Sequence, residues 1–539
     1  MKAKNIICAG ALALLCTGAF AQSKNFKLAQ WTEIQNSILS ELSRSYVDTL
    51  PVERMKAASI KYMLDELDPY TVYIPEEEED DLEMMVSKSY GGIGAVIYKP
   101  EKDGNVIITE PYKNSAAEKY GLKAGDEILS IDGISVHGLT SSECSEKMRG
   151  KPGSTVVFRV KKLRQNDTIS LSVVRGRIKL PDVEYYGMLD AETGYILQTG
   201  FTESASSEVR AAVSELKAKG MKKLFLDLRG NGGGLITEAV NIVSIFVPKG
   251  SVVVTSKGSR EDSKMVYRTA QEPVDTQMPL VVLVSHGSAS ASEIVSGALQ
   301  DLDRATIMGQ RSYGKGLVQS IRPLPYNGKI KVTTAKYYTP SGRCVQAIDY
   351  AQRREDGSVS HIPDSLTHEF TTAHGRKVRD GGGITPDVTL TEKEYSRLTY
   401  SIVMNGIVEQ YALKYVCEHE AEGTPDDFHY TDYADFVEFA KTKQFDYRSS
   451  AQALYDQMRK ELEKDGLAEA MKTELDAMKK AIEMDKETFL NLKKDEIIPF
   501  IEEEIAVRYW FQPAGVQMRI RYDDELKEAM TKPLITVQD

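Results

Sequence analysis

Cysteine is scarce in this chain of 539 residues: there are five, Cys8, Cys16, Cys144, Cys344 and Cys417, widely spaced and with no C-x-x-C pair. That excludes a disulfide framework and the spacing of structural zinc sites, so ordinary hydrophobic cores must hold the fold. A chain this long has room for three or more of them. No H-E-x-x-H is present, which argues against a zinc hydrolase. No G-x-S-x-G elbow is present either, and none of the seven histidines (His137, His286, His361, His368, His374, His419 and His429) lies in such a context. Basic charge is also in short supply: 68 Lys and Arg against 79 Asp and Glu give a net charge of -11. This disfavours nucleic acid or an anionic membrane surface as the principal partner. Beyond residue 20 no apolar run is long enough to span a bilayer, and no clean internal repeat occurs.

The one sustained apolar run is at the start. Met1-Lys2-Ala3-Lys4 precedes an apolar stretch from Ile6 to Phe20, and Ala19-Phe20-Ala21 stands before Gln22. A basic start, a short apolar middle and small residues at the cleavage positions predict a signal peptide over residues 1–21. The mature protein is then exported, to the periplasm or another extracytoplasmic space, without Cys8 and Cys16.

Texture divides the rest. Residues 22–88 read as helices, interrupted by Leu67-Asp-Pro-Tyr-Thr-Val-Tyr73, with the acidic run Glu76 to Asp81 as a solvated helix start. Residues 89–177 change to short β runs with glycine turns; Val106–Thr109, Glu127–Ile131 and Thr155–Val160 are expected strands. Residues 178–392 alternate strands with helices, an α/β pattern. Here Leu224–Leu228 reads as a buried strand and Leu235–Val247 as a helix. Residues 393–539 turn to Glu, Lys, Met, Ala and Leu and read as amphipathic helices. Their apolar stripes suit a core or a homodimer contact better than a ligand site, and the N-terminal helices are the alternative homodimer contact.

Two glycine-rich segments imitate nucleotide sites and fail. In Gly230-Asn-Gly-Gly-Gly234 the third glycine of a dinucleotide fingerprint falls at Leu235. In Gly309 to Lys315 the Ser/Thr of a phosphate loop is Gly316, and Leu317–Ile321 reads as a strand rather than a helix. No cofactor and no metal is expected. A third segment, Gly287-Ser-Ala-Ser-Ala-Ser-Glu-Ile294, follows the apolar run Leu280 to Val284 and reads as strand, turn, helix. A serine in that turn presents its hydroxyl at a helix N-terminus, where free N–H groups can stabilise an oxyanion. Lys315, 25 residues after Ser290, could serve as its base. The same four residues, Ser290-Ala-Ser-Glu293, also make a capping box, and Ser285, Ser288, Ser290 and Ser292 look alike by chemistry alone.

Gly91-Gly-Ile-Gly94 followed by Ala95-Val-Ile is a glycine turn entering a strand, a pattern that can capture a peptide carboxylate and pair with its backbone. With Pro111-Tyr-Lys-Asn-Ser-Ala-Ala117 and Gly121-Leu-Lys-Ala-Gly-Asp-Glu-Ile-Leu-Ser-Ile-Asp-Gly133 downstream, it resembles a PDZ domain.

The full order of LDPYTVY, PDZ, LDLRGNGGG, GSASASE, YGKG-LVQ, YYTPSGR and GGITPDV resembles the carboxyl-terminal processing peptidases, or tail-specific proteases, over roughly residues 30 to 390. The resemblance implies a multidomain α/β fold: a crotonase-like α/β spiral core with an inserted PDZ domain, N-terminal helices and a C-terminal helical extension. It implies Ser290 as nucleophile, Lys315 as general base and Gln319 as the lysine's positioning partner. The oxyanion donors would be the N–H groups of Ala291 and Gly234. Gly91, Gly92, Ile93 and Gly94 would hold a substrate carboxylate, and the partners would be C-termini of peptides or unfolded proteins. The implied activity is that of an ATP-independent serine endopeptidase. Its rivals are a non-catalytic PDZ scaffold and, from the fold alone, acyl-thioester chemistry. A lysine base must be neutral, which burial favours and a nearby carboxylate opposes, so an uncharged Gln is a suitable neighbour.

Overall fold

The computed structural model describes residues 24–535 apart from 100–102, 163–166, 354–357 and 484. The expected signal peptide lies outside the described residues. The chain falls into two compact units, one ending at Tyr73 and one beginning at Ile74. The first contains α1 (Lys24–Ser45) and α2 (Val52–Asp65). After α2 the Asp68 carboxylate accepts the N–H groups of Tyr70 and Thr71 at 2.9 Å and the Thr71 hydroxyl at 3.0 Å. This local turn is why the helical pattern stops there.

The second unit opens on α3 (Glu79–Ser87). The acidic run before and within it is exposed at Glu76 to Glu79 and Asp81, as expected, and two of its members also pair: Glu76 accepts from Asn327 at 2.9 Å and Glu79 meets Lys329 at 2.5 Å. Next come β1 (Ser89–Gly92), β2 (Ala95–Tyr98), β3 (Val106–Pro111), β4 (Glu127–Ile131), α4 (Ser141–Met148), β5 (Thr155–Lys162), β6 (Asp167–Val174) and β7 (Gly176–Lys179). Strands β2-β3-β4-β5-β6 form one antiparallel sheet in that order, with β2 at its edge, while β1 pairs with β7 and draws the two ends of the segment together. Alternation along β5 puts Val156, Phe158 and Val160 into a core with Ile108, Ile128, Leu122 and Cys144.

The α/β region comprises β8 (Val183–Met188), β9 (Thr193–Gln198), α5 (Ala205–Ala218), β10 (Lys223–Asp227), α6 (Ile236–Val243), β11 (Val252–Gly258), β12 (Met265–Arg268), β13 (Leu280–Val284), α7 (Ala291–Asp301), β14 (Thr306–Gly309), β15 (Leu317–Pro323), β16 (Lys329–Tyr338) and β17 (Val388–Thr389). The central sheet runs β8-β9-β10-β13-β14-β17 and is parallel from β9 onward. Helix α6 ends at Val243, four residues before the expected Val247, where the Ile245 and Phe246 N–H groups bond to the carbonyls of Ile242 and Val243 three residues back and tighten the helix into turns.

The nine C-terminal helices among the described residues are α8 (Arg397–Met404), α9 (Ile407–Glu418), α10 (Tyr433–Lys441), α11 (Ser450–Lys464), α12 (Lys472–Ile482), α13 (Lys486–Leu492), α14 (Lys494–Trp510), α15 (Gln512–Arg521) and α16 (Asp524–Thr531). Their apolar stripes are put to two uses. Helices α8, α9, α10, α13 and α14 share a core that also takes Ala124 and packs against Ile107 of the β2–β6 module. Helices α15 and α16 cover the central sheet itself. Its strands are buried on both faces, so alternate residues serve opposite layers. Ile196, Leu226, Val282 and Ile307 face α5, α6 and α7, while Tyr195, Phe225, Val281 and Met308 meet Val516, Leu526 and Ala529.

Candidate active site and peptide groove

Strand β13, buried along its whole length, ends at a turn that delivers Ser290 to the N-cap position of α7. Ser290 has φ 55° and ψ -110°, a left-handed backbone that costs a non-glycine residue about 1–3 kcal/mol. Glu293 closes the capping box by accepting the Ser290 N–H at 2.9 Å. The three other serines hold the turn. Ser285 Oγ accepts the N–H of Gly230 at 3.0 Å, Ser288 Oγ donates to the Leu228 carbonyl at 2.7 Å, and Ser292 Oγ donates to the Asn231 carbonyl at 2.8 Å. Ser288 and Ser292 are fully buried, whereas Ser290 is half-buried. His286 is exposed at the strand end.

Lys315 reaches the same place on the segment before β15. Its neighbours Gly314 and Gly316 pack so closely on Ala347 and Gln346 that an added Cβ would come within 2.4 Å and 2.7 Å of them. The Tyr313 N–H donates to the Ser288 carbonyl at 3.0 Å. The decisive tie is the Glu293 carboxylate, wholly buried. Its Oε2 accepts the N–H of Ser290 at 2.9 Å and of Lys315 at 2.8 Å; its Oε1 accepts Ser312 Oγ at 2.6 Å and the Gly314 N–H at 2.7 Å. Burial pushes its pKa above the ordinary glutamate value, against the four donors that favour the ionised form. As a sequence feature Glu293 reads only as a cap, because nothing local reveals that its other oxygen holds a loop some twenty residues away.

Gln319, on β15, donates from Nε2 to Thr333 Oγ1 of β16 at 3.1 Å. The glycine loop after β10 lies against the nucleophile turn. A Cβ on Gly233, φ 98°, would stand 2.8 Å from Ser290 Cβ and 2.8 Å from the Ala291 nitrogen. The Gly233 N–H is taken by Asn231 Oδ1 at 2.9 Å, and Asn231 is itself fixed by Nδ2 to the Gln198 carbonyl at 2.8 Å. Gly234, φ 154°, forms a bridge with Phe201, where a Cβ would meet the Phe201 carbonyl at 2.5 Å, and it is exposed beside the turn. Gly233, Ala291, Ser290 and the Lys315 segment therefore converge, with Gly234 the next residue of the same loop.

Gly91, Gly92, Ile93 and Gly94 lie elsewhere, at the mouth of the β2–β6 module. A Cβ on Gly91 would stand 2.1 Å from the Gly150 carbonyl oxygen, and Gly94 has φ 75°. The Ile93 carbonyl accepts the Ala117 N–H at 2.7 Å, which fixes the loop. A groove of about 350 Å³ runs between the free edge of β2 and α4, lined by Ile93, Val96, Ile97, Ser145 and Met148. Tyr90 and Arg149 close the loop end, the guanidinium 5.1 Å from the ring centre. Neither stood out in the sequence, since both sit outside the glycine string.

Comparison with known proteins bears on both sites. Family models match three segments: the PDZ domain at residues 83–161, peptidase family S41 at 192–352, and the C-terminal helical domain of probable PDZ-proteases at 398–532. A carboxy-terminal-processing protease from Bartonella bacilliformis is 35% identical over 58% of this chain and 71% of its own length. The carboxy-terminal processing protease CtpA of Bacillus subtilis is 31% identical over 70% of this chain and 78% of its own length. Among solved structures, a photosystem II D1 C-terminal processing protease shares 26% identity with a TM-score of 0.37, covering 67% of this chain and 86% of that one. The chain belongs to the carboxy-terminal-processing serine proteases of peptidase family S41, and is a serine-type peptidase with a PDZ domain and a C-terminal helical domain.

Proposed function

We propose that this peptidase is an exported, ATP-independent endopeptidase that works through a Ser290–Lys315 dyad and takes substrates by their C-termini. The observation that carries the reading is the single Glu293 oxygen that accepts the backbone N–H groups of both Ser290 and Lys315. A shared anchor of this kind keeps nucleophile and base in register, and orientation supplies much of an enzyme's rate.

In the proposed cycle Ser290 Oγ attacks the scissile carbonyl carbon and its proton passes to Lys315 Nζ. The carbonyl oxygen becomes an oxyanion held by the N–H groups of Gly234 and Ala291; the Gly233 N–H, committed to Asn231, is not offered. Collapse breaks the C–N bond, and Lys315 returns the proton to the leaving amine. Water then attacks the acyl ester, giving a proton to Lys315, which passes it to Ser290 Oγ as the ester C–O bond breaks and the free acid forms. A peptide seated over the half-buried Lys315 removes water from the amine, which favours its neutral, basic form. Gln319, fixed by Thr333, offers its amide oxygen to the lysine without adding negative charge.

The substrate C-terminus adds a strand to the β2 edge with its carboxylate at Gly91–Gly94 and its terminal side chain against Ile93 and Met148. Residues 1–21 direct export, to the periplasm or another extracytoplasmic space, and the mature chain begins at Gln22. Incubating the purified protein with an unstructured substrate tests the assignment: fragments form with the wild type and vanish in Ser290→Ala and Lys315→Ala. Peptide binding without turnover in the wild type would instead make it a PDZ scaffold.

A further inference from the structure

The oxyanion loop begins at Arg229, and Arg229 is held by the C-terminal helical domain. Its guanidinium is four-fifths buried and faces three carboxylates. Asp227 accepts from Nε at 3.0 Å and from Nη2 at 2.6 Å. Asp523 accepts from Nη2 at 2.5 Å, and Glu525 accepts from Nη1 at 2.7 Å. The last two come from the start of α16, some 290 residues away in sequence. Each is itself fixed: Asp523 Oδ1 caps α16 through the Leu526 N–H at 2.8 Å, and the second oxygen of Glu525 accepts from Gln310 beyond β14. Tyr195 donates to Asp227 Oδ2 at 2.7 Å and completes the cluster.

Around this cluster the sheet and the C-terminal helices are separated by a cavity of about 440 Å³. Arg229 with Asp523 and Glu525 is a polar link made from the C-terminal end of a central strand; others, Thr391 N–H to Glu528 at 2.9 Å, Lys393 to Asp524 at 2.8 Å and the Ile535 N–H to Thr306 at 2.9 Å, do not touch the loop after β10. A domain cover needs only apolar contacts, and Val516, Leu526 and Ala529 already supply those. One guanidinium against three carboxylates is also a poor choice for stability alone, because the like charges repel. What the cluster does control is the exit direction of the chain from β10. The next residue, Gly230, has φ 70° and rests on Ser285 and Gly287, and the loop then runs to Gly233 and Gly234 beside Ser290.

We propose that Asp523 and Glu525 are positioning residues for peptide hydrolysis, acting through Arg229 to set the oxyanion loop, so that the C-terminal helical domain is part of the catalytic apparatus. The proposal rests on the Ser290 and oxyanion-loop assignment above. Loosening the clamp lets the Gly234 N–H drift from the developing oxyanion while the groove and the nucleophile stay in place.

The test uses the full-length Asp523→Asn/Glu525→Gln double variant, in which Asn can still cap α16. The readouts are kcat and KM for a peptide, the melting temperature, and the affinity of a peptide boronate, which forms a tetrahedral adduct on the serine. Loss of one oxyanion donor costs about 100- to 1,000-fold in kcat, and a displaced donor costs less. The expected result is a fall of about tenfold or more in kcat and in boronate affinity, with KM within about twofold and no matching loss of melting temperature. Unchanged kcat and boronate affinity would overturn the proposal, as would a loss of activity that merely follows unfolding. Should the double variant not fold, Glu525→Gln alone and Arg229→Lys carry the same test. Failure of the underlying assignment looks different: the wild type would not bind the boronate, and Ser290→Ala would retain turnover.

Discussion

Replacing Glu293 by glutamine keeps the shape of the side chain and removes its charge, which isolates what the carboxylate does. In the native site four donors converge on two oxygens at 2.6–2.9 Å, three of them backbone N–H groups and one the Ser312 hydroxyl. Glutamine has one acceptor oxygen and an NH2 group, so at least two donors lose their acceptor and face another donor. A buried donor left unsatisfied costs about 1–3 kcal/mol, which gives about 2–6 kcal/mol before relaxation. Part is returned because a buried charge, whose ionisation burial opposes, has been removed. The expected net loss is about 2–4 kcal/mol by the same hydrogen-bond accounting. The pair that separates is the Ser290 and Lys315 backbone if the amide nitrogen takes the Oε2 position, and the Gly314 and Ser312 side if it takes the other. Either way the lysine segment shifts, and misplacement on the order of 1 Å can cost about 100-fold in rate. Urea unfolding and steady-state kinetics on Glu293→Gln should therefore show a lower midpoint together with a kcat reduced about 100-fold and KM little changed. An unaltered midpoint with full kcat would refute the reasoning that this carboxylate couples the two segments.

The other serines should behave oppositely to Ser290. Ser288→Ala, which leaves the Ser285 N–H without its acceptor and the Leu228 carbonyl with only the Asn231 N–H, should lower stability by about 1–3 kcal/mol in urea melts, whereas Ser290→Ala should leave the melt unchanged. Gly233→Ala places a methyl group 2.7 Å from the Ala289 carbonyl oxygen at φ 98°, so activity should be lost along with about 1–3 kcal/mol from backbone strain alone. Glu110 on β3 is buried against Gln512 of α15, and burial raises its carboxyl from 4.5 to about 7. The folded carboxyl titrates above its unfolded value, so its cost is absent below about pH 4.5 and complete above about pH 7, and stability falls as pH rises through that window. Glu110→Gln should then be more stable than wild type by up to about 3 kcal/mol at pH 8 and equal to it at pH 4.5, taking about 1.4 kcal/mol per pH unit. An equal difference at both pH values would count against the assignment.

Much of the α/β region was legible because its strands carry uninterrupted apolar runs and its turns are marked by glycine. Leu224–Leu228 and Leu280–Val284 were read as buried strands, and the structure forms Lys223–Asp227 and Leu280–Val284. Ser290 at a helix start could be read both as a cap and as a nucleophile, and the structure places it at the N-cap of α7 with its N–H on Glu293, while its role as nucleophile is the proposal made above. What stayed hidden were contacts across long sequence separations. Nothing near Glu293 announces Lys315, and nothing near Arg229 announces Asp523 or Glu525. The second use of the C-terminal helices was equally hidden. An amphipathic stripe states that an apolar face needs cover, and it does not state which sheet provides it.

The central claim is that Lys315 makes Ser290 the one nucleophilic serine of the turn. Labelling the protein with a fluorophosphonate, then mapping the adduct by peptide mass and following its rate, tests it most directly. The account predicts a single adduct on Ser290 in the wild type. Labelling should be slower by about 100-fold or more in Lys315→Ala, the usual contribution of a positioned base, with an unchanged melting temperature. An adduct on Ser285, Ser288 or Ser292, or an undiminished labelling rate in a folded Lys315→Ala protein, would contradict it.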